Sequence, residues 1–364
     1  MPLGRPARRE GMSSMRIAQI APLIESVPPK LFGGTERIVS YLTEELVRQG
    51  HEVTLFASGD STTASELVSC WDTALRLTPQ VQDTIPYHLM MLDALQRRVR
   101  EFDVLHFHVD MLHFPMFRHI AGRTVTTLHG RLDLPDLQPF YRHFPEFPLV
   151  SISDDQRRPM PSARWVGTVH HGLPSDLLPF SPEPRGGYLA FLGRISPEKR
   201  PDRAIEIARR AGIPLRIAAK VDRADLAYFE GRIKPLLDDP LITFVGEVSE
   251  AQKGRFLGDA LALLFPIDWP EPFGLVMIEA MACGTPVIAF RRGSVPEVLD
   301  DGLTGFIVDD LDQAVDAARR AHRFDRAAIR RRFEERFSAA RMARDYLDIY
   351  RTLPALRART RHVA

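Results

Sequence analysis

The sequence predicts two doubly wound α/β domains facing each other across a cleft. Three observations predict it. Short apolar, β-rich runs recur along all 364 residues, with helical stretches between them. Most of these runs are continuously apolar, as strands buried on both faces of a parallel sheet must be. The segment 171–187, with four prolines and three glycines, interrupts the alternation midway, and fresh alternation follows it.

In the first half, strands are expected at 16–22, 53–58, 103–108, 124–129 and 149–153. The stretch 35–49 sets Ile38, Val39, Leu42, Leu46 and Val47 on one helical face and stops at Gly50. In the second half, strands are expected at 188–194, 215–221, 242–248, 262–267, 286–290 and 305–309. Helices are expected at 201–211, ending at Gly212, and at 252–257 and 311–322. The arginine-rich stretch 323–351 reads as helical and closes the chain. The resulting division is a flexible arm (1–14), two domains (15–175 and 176–322) and a C-terminal segment (323–364).

Composition narrows the function classes. Basic and acidic residues number 48 and 47, a net charge of +1, with neither half strongly charged. That excludes a dedicated nucleic-acid binder. The two cysteines, Cys70 and Cys283, exclude a disulfide framework and a cysteine zinc site. They fit a reducing compartment, and Cys283 reads as a buried core thiol. No apolar run reaches 18 residues, and residues 1–14 lack the apolar core of a signal peptide. Only five residues are lysines: Lys30, Lys199, Lys220, Lys234 and Lys253. Each is worth weighing when it falls near a motif.

Open α/β sheets bind ligands beyond the carboxyl ends of their strands, and the chemistry-bearing motifs cluster there. The strongest runs from Pro266 to Phe290. A strand ends near Ile267, Glu271 follows, and Pro272 suits the first turn of a helix that Gly284 would cap. N–H groups around Phe273, Gly274, Leu275 and Val276 would face the cleft, where unpaired donors and the helix dipole favour phosphate. Gly274 permits close approach. Glu279 lies eight residues beyond Glu271, roughly 12 Å along a helix axis.

The second motif ends the strand at Gly193-Arg194, with Lys199 five residues on. Two cations there can clamp a diphosphate. The third is Gly33-Gly34 before a helix start, with Thr35 as its cap. The fourth is His129, closing a strand, where it can donate a hydrogen bond to a ligand hydroxyl. His106 and His108, with Asp110 and His113, form no complete metal set. Asp310 to Asp312 matches D-x-D by letter but reads as helix capping. No metal ligands are expected. The dinucleotide, Walker A and nucleophile-elbow signatures are all absent.

Together these motifs resemble the family-4 retaining glycosyltransferases over residues 15–350. Glu271 and Glu279 inside EPFGLVMIEAMACGTPVIA match the family's glutamate pair. Arg194 and Lys199 match its basic pair, Gly33-Gly34 its glycine loop, and His129 its N-domain histidine. GSVPEVLDDGLTGFIVD also looks like the end of the family's C-domain. The resemblance implies a GT-B fold whose last helix crosses back to the N-domain. It implies a donor that is a UDP-, GDP- or ADP-sugar, held by the C-domain, and a small-molecule, glycan or lipid-linked acceptor held by the N-domain. Arg194, Lys199 and the Gly274 helix start would stabilise the leaving diphosphate. Glu279 would bind ribose, Glu271 the donor sugar, His129 the sugar near its reacting carbon, and Val248 the base. Retention is implied, with no metal or other cofactor required.

The sequence departs from the family in two places. His171-Gly172 replaces an Asn-Gly junction, and Lys220 stands where a glycine turn is usual, within reach of donor phosphates or an anionic sugar. An idle nucleotide-sugar-binding partner, or an epimerase or phosphorylase of the same fold, are the alternatives. A cytoplasmic location is expected. Peripheral membrane contact through the basic tail is an open alternative to a solvated end.

Overall fold

A computed structural model describes residues 14–30 and 33–354. Most of the expected arm 1–14, and the basic tail beyond Pro354, lie outside the described residues.

The first sheet has seven parallel strands in the order β3-β2-β1-β4-β5-β6-β7. They are β1 (Arg16–Ile20), β2 (Glu52–Ser58), β3 (Glu66–Trp71), β4 (Val104–Phe107), β5 (Thr124–Thr127), β6 (Leu149–Ser151) and β7 (Trp165–Thr168). The second has six in the order β10-β9-β8-β11-β12-β13. These are β8 (Leu189–Arg194), β9 (Leu215–Lys220), β10 (Ile242–Gly246), β11 (Ala262–Phe265), β12 (Val287–Phe290) and β13 (Gly305–Val308). All pairings are parallel. Central strands such as β4 and β11 are buried at every residue, which is why they read as unbroken apolar runs.

β3 and β7 were not expected. They are the sheet's edges and only half-buried, and their mixed sequences, ELVSCW and WVGT, carry neither an apolar run nor clean alternation. The helix Ile85–Arg98 was not expected either. It buries only His88, Met91, Leu92 and Leu95. Asp310 caps the helix Leu311–Arg320 through Gln313 N–H, as its position suggested.

The closing stretch is two helices, not one. Arg326–Arg336 stays on the second half, where the Arg326 guanidinium donates to the carbonyls of Ser181, Gly258 and Ala260. The chain then breaks at Phe337, and Ala339–Thr352 packs on the first sheet. Its Tyr346 and Tyr350 are fully buried.

The two crossings between halves are tied together. Leu173 N–H donates to Phe337 O, and Ala339 N–H donates to Leu173 O, both at 2.8 Å. A Cβ on Gly172 would stand 2.4 Å from Ser338 O. The junction therefore demands glycine after His171, whatever precedes it.

In each sheet the strand order reverses beside its first strand, between β1 and β4 and between β8 and β11. Ligands bind at such switch points. Here the two face one cleft.

Candidate active site

The cleft holds two joined chambers, of about 330 and 410 Å³. Gly34, Leu192, Gly193, Leu275 and Val276 line both. His129, Arg194, Lys199, Glu271, Phe273 and Gly274 line the first alone. Gly33, Lys220, Val248 and Glu279 line the second alone. All thirteen residues singled out in the sequence therefore meet in one place.

Between the chambers lies the start of the helix Leu275–Ala282. It begins three residues later than Pro272 suggested, because Gly274 adopts φ +78° at its cap. A Cβ there would strike Met277 and Phe265 at 2.8 and 3.0 Å. The first N–H groups of a helix have no partner within it, so this end is a ready anion site. Glu271 is thus in the loop and Glu279 in the helix, each in its own chamber. The expected axial spacing does not describe them, since only Glu279 is helical. The first-half helix, Gly34–Arg48, also differs at its start. Gly33 occupies the cap position and Thr35 sits inside the first turn, so Thr35 caps nothing.

Glu271 is buried and its carboxylate is shared. Lys199 Nζ bonds it, and Trp269 Nε1 donates to it at 3.0 Å. The ammonium also lies 5.1 Å from the Trp269 ring centre. The loop is locked from behind by Ser294. Its N–H donates to Glu271 O (3.0 Å) and its hydroxyl to Phe273 O (2.8 Å). Gly293, at φ +53°, lies so close that a Cβ would stand 2.4 Å from both Glu271 N and O. Gly293→Ala is therefore expected to cost about 1–3 kcal/mol and to lower kcat by displacing Glu271. Thermal unfolding and steady-state rates on the same preparation check this, and an unchanged kcat would refute it.

Arg194 does not join Lys199. Its guanidinium bonds Glu198 and stands 3.8 and 3.5 Å from Asp222 and Asp225. Lys220 pairs with Asp222 at 2.8 Å. These cations reach the cleft already balanced by acids.

Glu279 is 5% exposed and accepts from Lys253 Nζ at 2.7 Å. Lys253 also meets Glu250 at 3.2 Å, and Arg37 from the first half bonds Glu250. Sequence reasoning missed Lys253 and Arg37 as site residues. The scarcity of lysine was the available signal for Lys253. A second bridge spans the halves where Glu297 accepts from Asp154 N–H and Asp155 N–H, both at 2.7 Å.

His129 stacks on His171, with ring centres 5.3 Å apart. Burial pushes its pKa down to about 3. Burial, mainly, also holds His106, His108, His113 and His171 well below the usual range. These rings charge only on unfolding, so below pH ~6.5 the unfolded chain binds more protons. Each then removes up to about 1.4 kcal/mol of stability per pH unit. Tm is expected to fall by more than about 5 °C between pH 7.5 and 5.5, as calorimetry would read. A flat Tm would contradict it. Among the described residues, no three His, Cys, Asp or Glu side chains group to hold a metal ion.

Comparison with known proteins matches this geometry to a family. Residues 181–336 match the family described as Glycosyl transferases group 1, and residues 32–166 match Glycosyltransferase Family 4. The phosphatidyl-myo-inositol mannosyltransferase of Mycobacterium leprae is 30% identical over 82% of this chain and 85% of its own.

The chain belongs to the family-4 glycosyltransferases.

The D-inositol 3-phosphate glycosyltransferase of Saccharomonospora viridis is 32% identical over 56% of this chain and 49% of its own. Two solved structures share the fold. Sucrose-phosphate synthase from Thermosynechococcus elongatus superposes with a TM-score of 0.74 at 19% identity, covering 93% of this chain and 99% of that one. Anabaena HepE in complex with UDP and glucose gives 0.70 at 15%, covering 92% and 98%. The glycosyltransferase fold is GT-B, as the resemblance implied, and Ala339–Thr352 is the helix that crosses back.

Proposed function

We propose that this glycosyltransferase moves a hexosyl group from a nucleoside-diphosphate sugar with retention of configuration and without a metal ion. One observation carries the reading: two buried glutamates, each paired with a lysine, occupy joined chambers on either side of a helix N-terminus. The diphosphate sits at the Leu275–Val276 end of that helix, where N–H groups replace the charge of a metal. Glu279 takes the ribose hydroxyls in one chamber, beside Val248 for the base. Glu271 takes sugar hydroxyls in the other, with His129 against the sugar.

Lys199 and Arg194 neutralise the departing diphosphate. For that, Arg194 exchanges Glu198 for phosphate, and Lys220 does the same with Asp222 if the sugar or phosphate reaches it. In this reading residues 15–175 hold the acceptor, residues 176–322 hold the donor, and Gly33-Gly34 bring first-half backbone to the phosphates. The enzyme works in the cytoplasm, where nucleotide sugars are made. An inositol-bearing acceptor, free or lipid-linked, is the first class to test, given the names of the relatives. Among the described residues no helix is long and apolar enough to cross a membrane.

The test is a thermal-shift panel of UDP, GDP and ADP with their common sugars, with and without EDTA. A ligand at about 100 times its Kd adds roughly 2.7 kcal/mol. One base should stabilise the chain equally with EDTA present. NMR of the product should then show the donor's anomeric configuration kept. An inverted product, or a shift abolished by EDTA, overturns the proposal.

A further inference from the structure

His129 lies at the end of a buried chain of polar side chains for which the proposed reaction has no use. Gln19, on β1, is fully buried. Its Oε1 stands 2.9 Å from His108 Nε2, and its Nε2 donates to Tyr350 Oη at 3.3 Å. His108 Nδ1 stands 2.9 Å from His129 Nε2. On the other branch, Tyr350 Oη meets His106 Nδ1 at 2.7 Å, and His106 Nε2 meets Thr127 Oγ1 at 2.7 Å. Thr127 Oγ1 then reaches Tyr346 Oη at 3.0 Å.

Donor and acceptor roles propagate along such a chain without a free choice. An amide oxygen only accepts. His108 must therefore carry its proton on Nε2. A neutral imidazole has one N–H, so His108 Nδ1 is bare and accepts. The proton between His108 and His129 must then belong to His129 Nε2. That leaves His129 Nδ1 without a proton, on a ring that lines the first chamber.

We propose that Gln19 and His108 are positioning residues that fix His129 as its Nε2–H tautomer, so that the ring receives a hydrogen bond from a substrate hydroxyl through Nδ1. This rests on the reading of His129 as a group that touches the sugar. It reverses the direction expected from the sequence, where His129 was a donor. Burial keeps the imidazole neutral, so Nδ1 accepts the hydrogen bond without taking the proton. Tyr350 belongs to the device. Its oxygen receives the Gln19 amide N–H, and its own O–H is directed to His106 Nδ1. Turning the Gln19 amide over would reverse the line, giving His129 an Nδ1–H. The helix that crosses back from the second half thus sets the polarity of a ring in the cleft.

The experiment is long-range 1H–15N NMR on the full chain labelled with 15N-histidine, with His108→Gln and His129→Ala used for assignment. His108 and His129 are both expected to show a protonated Nε2 and a bare Nδ1. A protonated Nδ1 on His129 overturns the proposal. Gln19→Leu is expected to mix the His129 tautomers and lower kcat by about tenfold. Gln19→Glu, which still accepts from His108 Nε2–H, should restore the single tautomer and most of the rate. If Gln19→Leu lowers Tm but leaves the His129 spectrum and kcat alone, Gln19 is packing only and the proposal fails. Should either Gln19 variant not fold, the wild-type spectrum still decides. An active His129→Ala would instead sink the sugar-contact reading while leaving the tautomer result standing, so the two failures can be told apart.

Discussion

Lys199→Ala is expected to lower kcat by about 10²–10³-fold, the usual cost of losing one preorganised group at developing negative charge. The ammonium sits between the Glu271 carboxylate and the face of Trp269. In the proposed reaction its charge is used twice. It neutralises Glu271 in the resting enzyme and the diphosphate as the glycosidic bond breaks. Its removal leaves Glu271 with Trp269 Nε1 as its remaining side-chain donor. Breaking a fully buried pair costs 3–5 kcal/mol. Here the lysine side chain keeps 22% exposure, so about 2 kcal/mol is expected. The double variant Lys199→Met with Glu271→Gln should recover that stability, since no lone charge remains, and stay inactive. Chemical denaturation and single-turnover rates separate the two effects. A Lys199→Ala enzyme within threefold of the wild-type rate would remove Lys199 from the chemistry.

The second large effect falls on binding. Lys253→Met is expected to raise donor KM by about 10- to 100-fold, the worth of hydrogen bonds to a charged group, and to leave acceptor KM unchanged. Lys253 holds Glu279 at 2.7 Å and Glu250 at 3.2 Å. Without it two carboxylates face each other around a buried site, and Glu279 turns away or repels the diphosphate beside it. Arg37 remains on Glu250, so Glu279 is the acid that loses its counter-charge. Titration calorimetry with the nucleoside diphosphate alone measures this. A Kd unchanged by Lys253→Met would place the ribose elsewhere. An equal change in donor and acceptor KM would point to collapse of the whole cleft.

The fold was legible where burial imposes a single pattern. All six strands of the second sheet lie inside the expected runs, most plainly the central ones such as β11, buried at every residue, while β9 and β10 expose side chains and break the apolar pattern. The edge strands β3 and β7 escaped because they are only partly buried along their length and their sequences follow neither an apolar run nor a clean alternation; the edges β10 and β13 did not escape. At the site, Glu271, Glu279 and Gly274 were legible because chain geometry alone ties them to one strand–loop–helix unit. Their counter-ions were not equally so. Lys199 comes from the separate loop after β8, 72 residues before Glu271, and was legible only as a cation beside a strand end; Lys253 and Arg37 arrive from other helices, and no spacing in the sequence reports that. Arg194 shows the converse: it stands at a strand end as read, yet Glu198 bonds it, with Asp222 and Asp225 at 3.8 and 3.5 Å, and those acids decide where its charge points. The roles of His106 and His108 were hidden for a similar reason. Their i, i+2 spacing puts His108, just past the end of β4, on the same side as His106 in it, but their partners, Gln19 and Tyr350, are separated by 331 residues.

That separation has a consequence for how the molecule is made. Synthesis runs from the N-terminus, so the first sheet emerges long before Ala339–Thr352 exists. Until that helix arrives, Gln19, His106 and Thr127 have water or one another in place of the tyrosine hydroxyls, and the apolar surface that Tyr346 and Tyr350 will cover stands open. The nascent first half must therefore wait, unsealed, through the translation of the entire second half. It is sealed only when the helix Ala339–Thr352 has been made. In this architecture the half that is begun first is the half that is finished last.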